Sequence, residues 1–439
     1  MGYKKAFVVD TSEIEGRLDP LYYSGAIYGF IKKLKFDLVK VKYISTNISS
    51  GIGAGKQDQT DKKNGILQIR PTNIDKYSQL KFDKNIYIPN NDKLKKLQKN
   101  DILFNNTNSQ ELVGKTSFFD IDEEMTFSNH ITKIEVNQDI IEAKYLYLLL
   151  NIYQENKIFY NLCTNWNNQS GVGIALLKNL KIPLPPKETQ NKIIQIMDNA
   201  YKIKKENESK AKELLASIDT YLLDKLDIAL PKEEKIVSFE VDSSEIFGSR
   251  FDPNYQYNKE RTMKSHKFNE KYLSEISFIF KGQSITKSKV IDGIYPVIAG
   301  GQTSPYNSNV YNYEKNIITI SASGAYAGYV WYHNYNIFAS DCSIVKSKDN
   351  VLPKYLFEIL KLKQKEIYKL QHGSAQPHIY PKDIKFLKIP LPPLPIQNEI
   401  ASHIQSLRDE AKHLQKEAKD ILKSAKDEVE VIILKGDVK

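Results

Sequence analysis

The heptapeptide Leu-Lys-Ile-Pro-Leu-Pro-Pro stands twice in this chain, at residues 180–186 and again at 387–393. A stiff, proline-capped segment copied so far apart decides the architecture before any local pattern does, because self-similarity at long period marks a repeated structural unit. Further blocks recur in the same order. SEIEGRLDP at 12–20 returns as SEIFGSRFDP at 244–253 with one residue inserted, and KYLYLLL at 144–150 returns as KYLFEIL at 354–360. After each heptapeptide come Gln-Asn and then Ile: Gln190, Asn191 and Ile193 in the first copy, Gln397, Asn398 and Ile400 in the second. The chain is a tandem duplication, each copy a globular part with a polar, helix-rich tail. Ser12 lies farther from Pro183 than Ser244 does from Pro390, so the frame is kept while its filling differs. Two modules of that kind suit reading two different things. The expected division is 1–186 and 231–393 as the globular domains, with 187–230 and 394–439 as the helices.

Within each globular part, short β-rich runs such as GILQIRPTNI and KNIITISASGAYAGYVWY are punctuated by Gly, Asn and Ser, with a few helices between them. This predicts an α+β fold with a curved or barrel-like sheet. The tails read differently. In the second, apolar residues fall at Ile400, Ile404, Leu407, Ala411, Leu414, Ala418, Ile421, Ala425 and, after Glu428, at Ile432. Spacing that alternates four and three over four heptads is a coiled-coil seam. The first tail repeats the phase at Ile193, Met197, Ala200, Ala211, Leu214 and Ile218, broken only by Lys204 and Asn207. Polar seam residues fix register and partner at a cost in stability; a frayed or solvated turn is the alternative. A helix over residues 191–226 would be about 55 Å long. Two helices of one phase pack most simply on each other, antiparallel, which predicts a dumbbell of approximate twofold symmetry.

Chemistry is sparse. GIGAGKQ at 51–57 lacks the spacing of a phosphate loop, and Gln57 stands where a magnesium-binding Ser or Thr would be; it reads as a flexible turn. TSPYNS at 303–308 resembles the tetrapeptide that orients a target base in amino-methyltransferases, but has one proline and reads as a β-turn. Glu-x-Lys triplets begin at Glu142, Glu410 and Glu417 without the neighbouring strand aspartate a nuclease requires. The seven histidines show no pairing with Asp or Ser by spacing, and Cys163 and Cys342 have no second cysteine at metal-ligand distance. No catalytic residue, metal or cofactor is expected.

A net charge of +10 favours a polyanionic partner, and 41% hydrophobic with 26% charged residues suits folded domains. The N-terminal MGYKKAFVVD lacks a signal peptide's apolar core, Ala6 stands where a myristoylation motif has Ser or Thr, and the apolar run at 145–150 is too short to span a bilayer. These predict a cytoplasmic protein with free thiols and no membrane contact. Loops at 104–115, 164–173, 299–309, 321–333 and 371–380 are rich in amide, hydroxyl and aromatic side chains. Asn and Gln can bond adenine bidentately, and Lys or Arg guanine or phosphate. The candidate DNA contacts are Arg70, Asn105, Asn106, Gln110, Lys115, Trp166, Asn168 and Gln169 in the first copy. In the second they are Lys281, Gln302, Ser321, Ser323, Tyr326, Gln371, Gln376 and His378.

Over essentially its whole length the chain resembles the DNA-specificity subunits of type I restriction–modification systems. The resemblance rests on the twice-written KIPLPP leading through Gln-Asn-x-Ile into a long helix, on residues 51–74, and on GIYPVIAGG followed by ITISASGAYAGYV. It implies two target-recognition domains, each reading one half of a split, asymmetric site in double-stranded DNA, joined by an antiparallel helical spacer. It also implies that the chain is not itself an enzyme. Two methyltransferase subunits would carry S-adenosylmethionine and the adenine N6 chemistry, docking on the spacer, with restriction subunits joining them. A stand-alone DNA-binding or scaffold protein, and the detached recognition half of a fused restriction–methylation enzyme, are the other readings. The first copy lacks the SGAYAGY pattern of the second and has NSQELVGK at 108–115 instead, so the two domains are expected to read with differently shaped loops.

Overall fold

The structure, a computed structural model, describes residues 8, 10, 11, 14, 23, 26–31, 33–166, 169–231, 238–242, 244, 250, 252–258, 261–373 and 375–436. Most of the repeated block at 12–20 and 244–253 lies outside the described residues, as does Asn168. The chain divides into two compact units. Unit 1 comprises residues up to 206 together with those from 417 onward, and unit 2 comprises 207–416.

The two main sheets of unit 1 use seven strands: β1 (Ser45–Ser50), β2 (Gly65–Ile69), β3 (Tyr87–Pro89), β4 (Asp101–Asn105), β5 (Thr116–Phe119), β6 (Met125–Phe127) and β7 (Ile131–Val136). Four form an antiparallel sheet in the order β1-β7-β4-β5, and three form a second sheet, β3-β2-β6, in which β2 and β6 run parallel. The helix α1 (Ala143–Glu155) covers the larger sheet. Its AKYLYLLLNIY is apolar nearly all round, and all but two of its first eleven residues are buried, as a helix enclosed on several sides requires.

Unit 2 repeats this plan strand for strand. Its β8 (Ser277–Lys281), β9 (Tyr295–Ile298), β10 (Asn307–Ser308), β11 (Ile317–Ser321), β12 (Val330–His333), β13 (Phe338–Ala339) and β14 (Cys342–Ser347) form sheets β8-β14-β11-β12 and β10-β9-β13, with β9 and β13 parallel. Even the register agrees. Ile134 lies between Ile48 and Ile102 in unit 1, and Val345 lies between Ile279 and Ile318 in unit 2. A one-residue slip would turn every inward side chain outward, so this match lets residues of the two units be equated one by one. The helix α2 of the chain is Lys187–Leu226, α3 is Pro353–Leu362, the counterpart of α1, and α4 is Leu394–Lys435.

The duplicated heptapeptides are the joints between sheets and long helices. Each puts a Lys-Ile-Pro strand against a short strand: Lys181–Pro183 pairs with Leu38–Lys40, and Lys388–Pro390 with Glu270–Tyr272. The first tyrosine of each repeated helix donates its buried hydroxyl to the proline carbonyl, Tyr145 to Pro183 at 3.0 Å and Tyr355 to Pro390 at 2.6 Å. The repeated glutamine closes the joint. Gln190 accepts from the Glu142 amide at 2.8 Å and donates to the Pro185 carbonyl at 2.9 Å; Gln397 accepts from the Leu352 amide at 2.8 Å and donates to the Pro392 carbonyl at 2.8 Å. Each glutamine is 1% exposed, where an unmet backbone group would cost about 1–3 kcal/mol. Glu142 and Lys144, flagged above as part of a Glu-x-Lys triplet, are ion-paired to Lys187 and Asp198 of α2. They brace the joint.

In unit 1, Ile193, Met197 and Ala200 of α2 share a core with Leu422, Ala425, Val429, Ile432 and Ile433 of α4 and with α1. In unit 2, Ile218, Leu222 and Leu226 of α2 share one with Ile400 and Ile404 of α4 and with α3. The start of each helix thus meets the end of the other. Within each unit the two helix segments pack antiparallel, as the two seams predict. Ala211, Ala411 and Ala418 are buried, and Leu214, Leu407, Leu414 and Ile421 are half-buried. Lys204 and Asn207 are helical and buried rather than frayed, and the Lys204 ammonium stands 4.1 Å from the centre of the Tyr77 ring. The fold is α+β, with two units of one topology and two long helices.

Candidate nucleic-acid interface

In both units the central strand of the larger sheet, β4 or β11, runs into a loop closed by a glycine. The Gly114 amide donates to the Asn105 carbonyl at 2.9 Å, and the Gly328 amide to the Ser321 carbonyl at 2.7 Å. Their φ angles of 88° and 94° lie in the left-handed region, which a side chain disfavours. A later segment then crosses each loop. The Val172 amide donates to the Asn106 carbonyl at 2.9 Å and the Ile379 amide to the Ala322 carbonyl at 2.9 Å. In unit 1, Thr107–Asn108 pairs with Gln169–Gly171, which pairs with Thr164–Trp166. In unit 2, Ser323 bridges His378, and the Gly324 amide donates to the Pro377 carbonyl. Segments far apart in sequence thus form one loop cluster per unit.

The candidate residues divide by exposure. In unit 1, Trp166 is 47% exposed, Gln169 is exposed, and both lie on the paired segments. Gln110 is half-buried and donates to the Tyr160 carbonyl at 2.9 Å. Asn105 and Asn106 are buried. The Asn105 amide donates to the Leu112 carbonyl at 3.3 Å, while that of Asn106 donates to the Asn129 carbonyl and the Thr132 hydroxyl. These asparagines hold the loop from beneath. Arg70 lies after β2, donating to Gln68 and the Ala54 carbonyl, and Lys115 donates to the Asp75 carbonyl at 3.2 Å. Burial pulls the pKa of both down.

In unit 2, Tyr326 is 46% exposed, and Lys281, Gln302 and Gln376 are exposed. Ser321 is buried, and its hydroxyl lies 3.3 Å from the Gly301 carbonyl, which draws the loop bearing Gln302 alongside. Gln371 donates to the Ala327 carbonyl at 2.8 Å. His378 is half-buried, and its ring is nearly parallel to that of Tyr380 at 6.0 Å. Two acids here carry no sequence signal. Asp341 accepts from the Ser323 hydroxyl, and Asp383 lies 2.7 Å from Nε2 of His372. Eleven or more residues separate each pair in the chain, so only the fold brings them together.

The segment at 51–57 makes a single 3-10 turn at Lys56–Asp58, with the Gly55 amide donating to the Asp58 carboxylate. Cys163 is half-buried and Cys342 buried; neither is in a disulfide, and burial pushes the Cys342 thiol up to about 12. Among the described residues no three His, Cys, Asp or Glu side chains gather as a metal site, and no helix is long and apolar enough to cross a membrane.

The family model for the type I restriction modification DNA specificity domain matches twice, at residues 30–217 and 266–423. A putative type I restriction enzyme MjaX specificity subunit of Methanocaldococcus jannaschii is 27% identical over 328 residues, spanning 70% of this chain and 72% of that protein. A putative type I specificity subunit of Mycoplasma pneumoniae, S.MpnORF615P, is 26% identical over 235 residues, spanning 52% and 80%. Among solved structures, a type I restriction–modification S subunit from M. genitalium superposes with a TM-score of 0.50 at 16% identity, over 92% of this chain and 97% of that one. A chain from a structural study of complex assembly and conformational transition in the type I R-M system gives 0.55 at 16% identity, over 92% and 99%. Both share the fold.

Proposed function

This chain belongs to the type I restriction–modification DNA-specificity family, and from that premise we propose that it reads a bipartite, asymmetric site in double-stranded DNA, one half-site per unit. It is a specificity subunit and not the catalyst of its system. One observation carries the reading: the family match falls once on each copy of a duplicated fold, and each copy gathers its amide, hydroxyl and aromatic loops into one cluster. Two readers of one topology with different loops suit a site whose halves differ in sequence.

The proposed recognition domains are 1–186 and 231–393, with 187–230 and 394–439 as spacer helices. We assign base contact first to Trp166, Gln169, Gln302, Tyr326, Gln376 and His378, the accessible members of the two clusters. Lys281 is proposed for phosphate, and Asn105, Asn106 and Ser321 for support beneath the loops. Gln110, Lys115, Arg70, Gln371 and Ser323 shape the loops they bond, and Asn168, outside the described residues, stays a proposed DNA contact. Partners are DNA and the modification and restriction subunits of the complex. We propose two modification subunits, which bring S-adenosylmethionine and methylate adenine N6, in the cytoplasm.

The test is methyl transfer from labelled S-adenosylmethionine to duplex DNA. The reading expects transfer only when the chain and its modification subunits are combined. Its failure would be transfer by this chain alone, or equal transfer by the modification subunits without it.

A further inference from the structure

The duplication supplies an internal control for surface residues, and one strip of unit 2 departs from it sharply. On β8, the outer strand of its sheet, Phe278 and Phe280 point to the same face and are 51% and 44% exposed, their rings stacked 6.4 Å apart. Where β8 meets the joint, Tyr272 and Phe386, 43% and 58% exposed, pack edge to face at 5.9 Å. The two pairs adjoin: the Ser274 amide donates to the Lys385 carbonyl, and Lys348 reaches the Ser274 and Glu275 carbonyls while lying 5.2 Å from the Phe278 ring centre.

By register, the unit 1 residues at these four positions are polar. Asn47 and Ser49, opposite Glu135 and Lys133, match Phe278 and Phe280, opposite Lys346 and Ile344. Lys40, opposite Lys181, matches Tyr272, opposite Lys388, and Asn179 matches Phe386, each one residue before its heptapeptide. Since unit 1 builds the same sheet and joint without them, the fold does not require four aromatic side chains here. Exposed aromatic clusters of this kind mark binding surfaces.

Two further observations narrow the occupant. The outer side of β8 takes no strand among the described residues, leaving backbone groups open to a further strand. Lys346 is exposed opposite Phe278 on the face of the rings, and Lys385 lies 4.6 Å from the Phe386 ring centre, while Glu275 is engaged by Lys271 at 3.8 Å. We infer that β8 is a docking edge for an extended acidic segment of a partner protein, one that adds a strand and, on the face of the rings, sets an apolar side chain on Phe278 and Phe280 beside acids paired with Lys346 and Lys385. A nucleic acid would stack on the rings but leave the strand edge unmet. This inference does not depend on which loops read DNA.

The test uses the full chain and a fluorescein-labelled dodecapeptide that repeats Glu-Val-Glu-Glu, so that Val and Glu alternate along one face, with the Lys-Val-Lys-Lys repeat and oligothymidylate as comparisons. The acidic peptide should bind, weaken with salt, and slow amide exchange across β8. Phe278→Asn with Phe280→Ser, which installs the residues of unit 1, should weaken it about tenfold. Lys346→Glu, also the unit 1 residue, should weaken it while leaving the rings in place, so loss is not mistaken for misfolding. Three results overturn the inference: no preference for the acidic peptide, binding without protection of β8, or an oligothymidylate affinity that falls with the aromatic pair while the peptide's does not. Wild-type self-association that the double substitution abolishes would also overturn it, pointing to a second copy of this chain.

Discussion

Replacing Gln397 by Glu tests the joint, because it changes one amide into an acid of the same shape. One carboxylate oxygen can still accept from the Leu352 amide, but the other faces the carbonyls of Pro392 and Asn350, to which Nε2 now donates at 2.8 and 3.1 Å. Only the protonated acid can donate there. Burial and two facing acceptors raise the folded-state pKa above the unfolded value of about 4.3. The sign follows: stability is retained below the unfolded pKa and lost as pH rises through the folded one. A shift of two to three units costs about 3–4 kcal/mol at pH 8, at about 1.4 kcal/mol per unit. Gln397→Leu, which strands three backbone groups, should cost about 3 kcal/mol at every pH. Amide exchange of α3 and the start of α4, corrected for the intrinsic pH dependence, should accelerate for Gln397→Glu at pH 8 and return toward wild type at pH 5. A Glu variant as protected as wild type at pH 8, or equally weakened at both pH values, refutes the reasoning.

His333 makes unit 2 acid-sensitive: it is fully buried, Nε2 lies 2.8 Å from the Thr319 hydroxyl, Nδ1 has no partner, and burial lowers its pKa to about 4. The unfolded state binds the proton first, so stability should fall from pH 6.5 toward 4 by about 3 kcal/mol; Trp331 fluorescence in urea, in a Trp166→Phe background, should show this slope flattened in His333→Gln. Adding one heptad to each long helix, after Ala211 and after Ala418, preserves the seam phase and lengthens it by about 10 Å, roughly three base pairs. Methylome sequencing should then show the old half-sites with a longer gap, or no methylation because the second groove has rotated. New half-sites with the old gap would contradict a spacing role for the helices.

What was legible in the sequence is what repetition exposes. The joint could be read because Tyr145 and Tyr355, Gln190 and Gln397 each hold identical bonds in both copies, and the helices because seam spacing reports burial directly. Side-chain exposure within the loops was not legible. Asn105 and Asn106 share the amide chemistry of Gln169, yet they end a buried strand, and strand register rather than composition sets that difference. Ser323 with Asp341 and His372 with Asp383 meet only through strand pairing and the hairpin at 371–380. Phe-Ile-Phe in β8 reads as a strand, but its place at the sheet edge is a property of topology.

The measurement that reaches the central claim most directly is methylome sequencing of cells carrying the modification subunits with this chain, or with its Trp166→Ala and Gln169→Ala or its Tyr326→Ala and Gln376→Ala variants. Wild type should give methylated adenine at an interrupted, asymmetric motif, and each pair should relax or alter one half-site while the other is kept. A continuous motif, or both halves changing together in either variant, would contradict two independent readers in one chain.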